Sequence, residues 1–474
     1  MSHAIIRGMA LAIAAAPFLI ACGGGKADNP GPVNAPQCSG ASCGVQGAPP
    51  TGASAAALCP ATADIVKSTY LGGAGSGEVV QLNIDATAMT YTLKWIKSPI
   101  PLIHADVTVT REGTQITGAV IHPPTGTLPT AEQTRCAFIL GKGTGTASNG
   151  TTYTTADFVN NPNPPMVLVG LGVAGGGIPG ADVEYDGLTI LPVPGLENIG
   201  AVPARHFDFY PFLGFASTST DLTRLAGTYN GLLYHLVPSG AYAATSTNTV
   251  ETFDASGNCT GSNPSNSAFT PSSSGCLTTG TAWTLNSGGY FDSQNAPQIS
   301  TQLTLPSGKS GPVAQAHMIL GQINGATVPL VIRTGSVNLG TAPLHLDAKV
   351  DDESGIAMLA AATPLASGGF NGGYVGADSN FRYTATLIQG PIGTFINPTT
   401  SNAEDGFGLG YGLPSPGLIG VQDKAGKTGF AIASGGLYAI TIQDSVNGGV
   451  ATTSQLNGSS AGAPYFGIGA QISH

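Results

Sequence analysis

The sequence predicts an all-β protein, and three observations carry that prediction. Apolar and polar residues alternate with period two over many short runs, turn residues break those runs, and long helical periodicity is scarce. The composition agrees. The chain of 474 residues holds 69 glycines and 34 prolines, and only 9% of it is charged, against about 25% in ordinary soluble domains.

Taken in order, residues 23–58 contain no apolar pattern and are rich in Gly, Pro, Ala and Ser. They read as a flexible tether, with an end-to-end distance of about 30–36 Å for such a coil. Structure is expected to begin near Cys59. Val80, Leu82 and Ile84 alternate with polar partners, and Met89, Tyr91, Leu93 and Trp95 do the same after a short break. The stretch "VTVTREGTQITGAV" reads as a hairpin around Glu112-Gly113. Later, "FRYTATL", "GFAIAS", "LYAITI" and the terminal "YFGIGAQIS" repeat the alternation. Asn-Gly pairs beginning at Asn149, Asn230, Asn324, Asn371, Asn447 and Asn457 supply turns that accept positive φ. The best helical candidate is "ESGIAMLAAATPLA", limited by Pro364.

A boundary is expected at residues 216–224, between "RHFDFYPFLGF" and "STSTDLTRLAGTYNGLLYHLV". The expected organisation is therefore an N-terminal β domain over 59–215 and a C-terminal β domain over 216–474. Both are barrel- or sandwich-like and stand behind the tether. "LAGTYNG" at the start of the second block echoes "KSTYLGG" at the start of the first, as two related domains would. A single β-propeller of similar total size is the structural alternative.

The first 22 residues point to an address. Arg7 precedes an apolar run from Gly8 to Ile20, shorter than the roughly 20 residues a membrane-spanning helix needs. A basic start, a short apolar run and a small residue before the cut describe a secretion signal over residues 1–21. Leu19-Ile20-Ala21-Cys22 resembles the lipobox of bacterial lipoproteins, in which the cysteine becomes the lipidated first residue. With the glycine-rich tether and charge-poor β body, the chain resembles uncharacterised lipoproteins of Gram-negative bacteria. That resemblance implies lipidation at Cys22. With Gly at position 23 instead of the inner-membrane retention Asp, it implies a lipid-anchored place in the outer membrane, facing periplasm or cell surface.

Six cysteines remain once Cys22 is set aside, an even number that suits disulfides in an exported chain. Proximity pairs Cys38 with Cys43 and Cys259 with Cys276, which leaves Cys59 for Cys136. The formal net charge of −10, with no basic cluster, argues against nucleic acid and anionic headgroups as ligands.

Few motifs carry chemistry. Gly170-x-Gly172-x-x-Gly175 has the glycines of a dinucleotide-binding turn, but Gly176, Gly177, Pro179 and Gly180 forbid the helix that motif requires. It reads as a glycine-rich strand or loop, and no cofactor is implied. "GKS" at 308–310 and "GKT" at 426–428 lack the phosphate-loop frame and read as hairpin tips. "VDDES" at 350–354 lacks the spacing of a calcium loop and reads as an exposed acidic loop. Three of eight histidines begin His-x-Asp: His104/Asp106, His206/Asp208 and His345/Asp347. On a strand each pair projects from one face, as a metal site or an oriented imidazole would require. They read as separate surface pairs, so no catalytic or metal-binding residue is assigned. The functional expectation is an outer-membrane-anchored lipoprotein with a ligand-binding, partner-binding or structural role. The alternative is an envelope or extracellular hydrolase with a site assembled from distant residues.

Overall fold

The computed structural model describes residues 59–103, 106–125, 127, 131–160, 164, 166–183, 205–237, 243–263, 283–293, 296, 314–338, 349–379, 383–396, 403–443 and 464–473. Within them the protein is all-β, built from three successive eight-stranded meanders. The first contains β1 (Thr69–Ala74), β2 (Glu78–Asp85), β3 (Thr90–Lys97), β4 (Pro101–Ile103), β5 (Asp106–Thr110), β6 (Gln115–Ile121), β7 (Ala137–Thr146), β8 (Thr152–Thr154), β9 (Met166–Gly170), β10 (Val173–Val183) and β11 (Arg205–Phe215). Its sheet runs β1-β2-β3-β6-β7-β9-β10-β11, and β11 pairs back onto β1 to close a barrel. Two short helices, Thr62–Lys67 and Ala131–Arg135, flank it. Cys59 and Cys136 form a disulfide, as their elimination pairing predicts. Cys259 is also disulfide-bonded; Cys22, Cys38, Cys43 and Cys276 lie outside the described residues.

The second meander follows β12 (Thr218–Ser219) and a 3₁₀ turn at Leu222–Leu225. It contains β13 (Gly227–Val237), β14 (Ala243–Phe253), β15 (Cys259–Asn263), β16 (Thr284–Leu285), β17 (Phe291–Ser293), β18 (Gln315–Ile323), β19 (Ala326–Thr334), β20 (Ser336–Asn338), β21 (Lys349–Asp351) and β22 (Ser354–Ala361). Its order is β15-β14-β13-β22-β19-β18-β17-β16, so among the described residues the ring stays open between β15 and β16. The third contains β23 (Gly372–Asp378), β24 (Tyr383–Gln389), β25 (Ile392–Ile396), β26 (Ala403–Gly410), β27 (Ile419–Asp423), β28 (Thr428–Ser434), β29 (Leu437–Ile442) and β30 (Tyr465–Ser473), and it closes β30 onto β23. Residues 216–474 thus carry the second and third meanders. The propeller alternative is not realised, because two of the sheets curl until first and last strands pair, and no radial blades form.

The echo between "KSTYLGG" and "LAGTYNG" has a structural basis, and it recurs a third time. Each meander opens with Tyr-x-Gly: Tyr70-Leu71-Gly72 in β1, Tyr229-Asn230-Gly231 in β13 and Tyr374-Val375-Gly376 in β23. Each of those strands pairs with the last strand of its own meander. All three tyrosines are buried. In the closed barrels the glycine sits where the two seam strands meet. A Cβ at Gly72 would lie 2.1 Å from the Leu213 carbonyl oxygen, and one at Gly376 would lie 1.8 Å from that of Ile468. In the open meander the nearest atom to a Cβ on Gly231 is the Thr249 Cγ2, at 2.9 Å.

Several local expectations are corrected. The candidate helix "ESGIAMLAAATPLA" is strand β22. Both its faces are buried, Ile356 and Met358 in one core and Ala357 and Leu359 in another, which erases the alternation that marks a half-buried strand. Gly113 turns the chain at φ 82°, but β5 and β6 do not form a hairpin: β5 pairs with β4, and β6 with β3. The chain turns there to send Arg111 inward. Asn149-Gly150 and Asn324-Gly325 are turns with positive φ at the glycine, whereas Asn230-Gly231 lies inside β13.

The third barrel is filled by its own aromatic side chains. Tyr374 and Tyr438 have ring centroids 4.8 Å apart, Phe395 packs on Phe407 at 4.9 Å, and the Tyr374 hydroxyl donates to the Phe370 carbonyl at 3.2 Å. A second core, with Tyr229, Leu233, Phe253, Trp283 and Met318, lines one face of the open sheet. The largest core joins all three meanders.

The seam geometry generates a test. Gly72→Ala and Gly376→Ala force backbone apart and should each cost about 1–3 kcal/mol, the range for overpacked sites. Gly231→Ala meets side-chain atoms of Thr249, Leu233 and Leu359 and no backbone, and should cost less. Urea unfolding of the three variants measures that order.

Candidate functional site

The first barrel is plugged at one end by a buried ion pair. Glu78 opens β2, and Arg111 lies just past the end of β5; both side chains are fully buried. Arg111 Nε donates to Glu78 Oε1 at 2.6 Å, and its Nη2 donates to Oε2. Nη1 reaches the Gly180 carbonyl at 2.9 Å and the Tyr153 hydroxyl at 3.2 Å. The guanidinium carbon stands 4.3 Å over the Trp95 ring. Ser76 Oγ donates to Glu78 Oε2 at 2.6 Å, and Ser98 Oγ donates to Oε1. Burial alone would loosen the Arg111 proton, but the adjoining Glu78 carboxylate outweighs it and raises the pKa. Every group has a partner, as a buried charge pair requires.

That plug forms one wall of a cleft where the first barrel meets the open sheet. Ser76 belongs to both the plug and the cleft, and Ser98 Oγ accepts the backbone N–H of Ile100, another lining residue, at 3.1 Å. The cleft is small and partly open to solvent. Phe207, Tyr210 and Leu236 add apolar wall, while Ser336, Asp352 and Ser354 supply polar atoms. Ser354 Oγ accepts the Gly335 N–H at 3.0 Å and donates to the Asp352 carbonyl at 3.2 Å. Gly335 is required there, since a Cβ would lie 2.7 Å from the Asp352 backbone. Thr334 Oγ1 ties this wall to the Gly77 carbonyl of the barrel at 2.5 Å.

Behind the Asp352 wall lies a charged row. His235 and Arg333 flank Gly355 across three strands, and Glu353 reaches both. His235 Nδ1 is 3.1 Å from Glu353 Oε1, and Arg333 Nη2 is 3.6 Å from Glu353 Oε2. Arg333 Nη2 also donates to Asp351 Oδ1 at 2.5 Å, and its Nη1 donates to the Glu353 carbonyl. "VDDES" is therefore not an exposed acidic loop: Asp352 is 7% and Glu353 2% exposed, and Arg333 holds Asp351 and Glu353 on either side. The sequence signal for this was the lone Arg333 in an apolar strand, which needs a buried acid. Ser354 and Glu353 are successive residues at the start of β22 and project to opposite faces of the sheet. The cleft serine and the His235 imidazole are thus separated by the sheet, so the two do not form a nucleophile–base couple. The arrangement suits binding.

A further imidazole carries no His-x-Asp signature. His317 on β18 is fully buried, with Nδ1 2.6 Å from Asp292 Oδ1 on β17 and its ring perpendicular to Tyr290. Burial pushes the Asp292 carboxyl up, but hydrogen bonds from His317 and Asn286 outweigh it and hold it below the usual range. The partners are 25 residues apart in sequence and adjacent only through strand pairing. Of the predicted pairs, His104, His345 and Asp347 lie outside the described residues. Asp106 stands at the start of β5, and His206 lies on β11 opposite Asp182; Asp208 is also on β11. Among the described residues no group of three His, Cys, Asp or Glu is placed to hold a metal ion.

The plug makes a test. Glu78→Gln leaves Arg111 buried without its counter-charge and should cost about 3–5 kcal/mol, whereas the double variant Glu78→Leu/Arg111→Met should recover most of that loss. Denaturant unfolding of both variants reads the difference.

No curated protein and no solved structure matches the chain. Residues 90–470, which reach from β3 to β30 and include every described lining residue of the cleft except Ser76, match the family described as "Protein of unknown function (DUF2957)". The chain belongs to that family.

Proposed function

We propose that the protein is an outer-membrane lipoprotein, anchored through Cys22, whose β-rich body binds a ligand or envelope partner. The observation that carries the binding role is the cleft between the first barrel and the open sheet. The third barrel is occupied by its own aromatic core and the first is closed at one end by the Glu78–Arg111 plug, whereas the cleft between the first barrel and the open sheet leaves concave space among the described residues. The described wall of the third barrel also favours a body held beside a membrane over one inserted in it. Phe407, Leu409, Ile419 and Val421 face inward, whereas the exposed positions of β26 and β27 are Gly408, Gly410 and Gln422. Membrane-spanning barrels reverse that pattern, apolar outward and polar inward. Among the described residues no helix is long and apolar enough to cross a membrane. Anchoring then falls to the lipobox-like Leu19–Cys22, and two or more acyl chains hold a protein stably where one does not.

The anchor is tested by growth on labelled palmitate followed by membrane fractionation. The unaltered protein is expected to carry label and sediment with outer membranes, and Cys22→Ala to lose both. Equal labelling of the two proteins, or none in either, would remove the lipoprotein reading.

A further inference from the structure

The Asn-Gly pairs differ in what the fold lets them do. Asn324 and Gly325 form the two-residue tip between β18 and β19, with φ 47° and 79°, the doubly positive pair of a type I′ hairpin turn. Both residues are exposed, and a Cβ built on Gly325 would meet nothing within 4 Å. Among the described residues no acceptor takes the Gly325 N–H. The other described pairs are held. Gly150 N donates to the Ala147 carbonyl at 2.9 Å. Asn230 is buried inside β13, its Nδ2 donating to the Pro416 carbonyl at 2.7 Å and its Oδ1 accepting from Ser415 Oγ at 2.5 Å. Asn371 Oδ1 accepts the Gly390 N–H at 2.6 Å, and its carbonyl accepts from Gln471 Nε2 at 3.2 Å.

A backbone nitrogen that follows an asparagine closes a five-membered ring when it attacks the side-chain amide carbon. The attack needs an N–H free to lose its proton and a following residue with no Cβ in the way. We propose that Asn324 is a self-modification site, converted through Gly325 to aspartate and isoaspartate. Gly325 N bonds to Asn324 Cγ, the Cγ–Nδ2 bond breaks, and ammonia leaves with the Gly325 proton, passed through solvent. Water then opens the cyclic imide at either carbonyl. The net change consumes one water and turns one amide into a carboxylic acid and ammonia, with no oxidant or reductant.

The altered tip is a joint between two meanders. Asn324 Nδ2 donates to the Gly435 carbonyl at 3.0 Å. Gly435-Gly436 is itself the tip between β28 and β29, with φ 61° and 87°. The two tips are in close contact, since a Cβ on Gly435 would lie 3.2 Å from the Ile323 carbonyl oxygen. A carboxylate at position 324 has no proton to donate and sets its own oxygen against that carbonyl. Isoaspartate also adds a carbon to the backbone of a two-residue turn that fixes the hairpin register.

Incubation of the purified full-length protein in mildly alkaline and mildly acidic buffer, followed by peptide mapping with mass spectrometry and an isoaspartyl methyltransferase assay, tests the site. Residue 324 is expected to convert first, and faster in alkali. A nucleophile that must first release one hydrogen bond is slower by about two- to tenfold, so Asn149 should lag by that factor, while Asn230 and Asn371 stay intact. Mapping also keeps Asn447 and Asn457, which lie outside the described residues, apart from this tip. Asn324→Gln, whose longer amide would need a six-membered ring, should abolish conversion here and leave the Asn149 rate unchanged. The converted fraction, separated by its added negative charge, should melt below the fresh protein. Asn149 or Asn371 converting as fast as Asn324, or no conversion at 324 in the folded protein, would overturn the site. A converted fraction with an unchanged melt would overturn the joint.

Discussion

The constraint on which the rest of the architecture depends is that every sheet here has two faces and too few charges to leave both in water. A closed eight-stranded barrel buries only its inside, so its outer face must be solvated or covered. With 9% of the chain charged, much of the outer surface is covered by the neighbouring meanders. Leu71, Leu213 and Phe215 of the first barrel, Leu330, Ile332 and Met358 of the open sheet, and Val375, Phe466 and Ile468 of the third barrel belong to one apolar core. Glycines set the approach: a Cβ at Gly73 would lie 2.4 Å from Ile332 Cγ1, and one at Gly321 would lie 2.3 Å from the Phe215 ring. Tyr234 stacks on Phe466 at 5.3 Å with planes only 10° apart, joining the open sheet to the third barrel. Polar side chains fix the same junction, Asn230 Nδ2 donating to the Pro416 carbonyl at 2.7 Å and Gln443 Nε2 to the Ser246 carbonyl at 2.7 Å.

That shared core explains where the few buried charges go. A charge inside it would lack partners and cost several kcal/mol. Two groups of buried ions stand at one margin, where the first barrel and the open sheet diverge, while Glu251, Asp378 and Asp423 are buried on β14, β23 and β27. Glu78 and Arg111 close the barrel on one side of the cleft; Arg333, Glu353 and His235 form the row on the other. The cleft is the gap that remains when two plugged ends, each needing polar partners, are brought together by apolar faces elsewhere. Its position follows from the packing.

Legibility in the sequence tracked the degree of one-sided burial. β3 alternates cleanly, with Tyr91, Leu93 and Trp95 buried between half-buried or exposed neighbours, and it was readable. β22 is buried on both faces and read as a helix, because period two disappears when both sides are apolar. The Tyr-x-Gly echo was visible at Tyr70 and Tyr229 but not at Tyr374, since nothing local distinguishes a seam glycine from a turn glycine. The site was almost illegible. Arg111–Glu78, His235–Glu353 and His317–Asp292 are separated by 33, 118 and 25 residues and meet only through sheet register, which a search at spacing two cannot see. The acidic run was seen, but its burial depended on Arg333 in another strand.

The open middle meander is the last consequence of the same balance. In the closed rings the first strand meets the last with no room for a Cβ at Gly72 or Gly376. Gly231 has more room, and its meander closes β13 onto β22 but leaves β15 and β16 apart. The face of that sheet with Leu233 and Met318 at its centre also carries His235, Glu353 and Arg333 at one end. A sealed barrel interior would have to satisfy that whole row from within a narrow apolar tube, where the partners of Arg333 come from β21 and the turn before β22 and not from the ring itself. Opening the ring relieves that demand. Among the described residues the meander that holds the charged row is the one without a pairing between its end strands β15 and β16, and the excursion through β20 and β21 that feeds Arg333 its acids also builds the wall of the cleft.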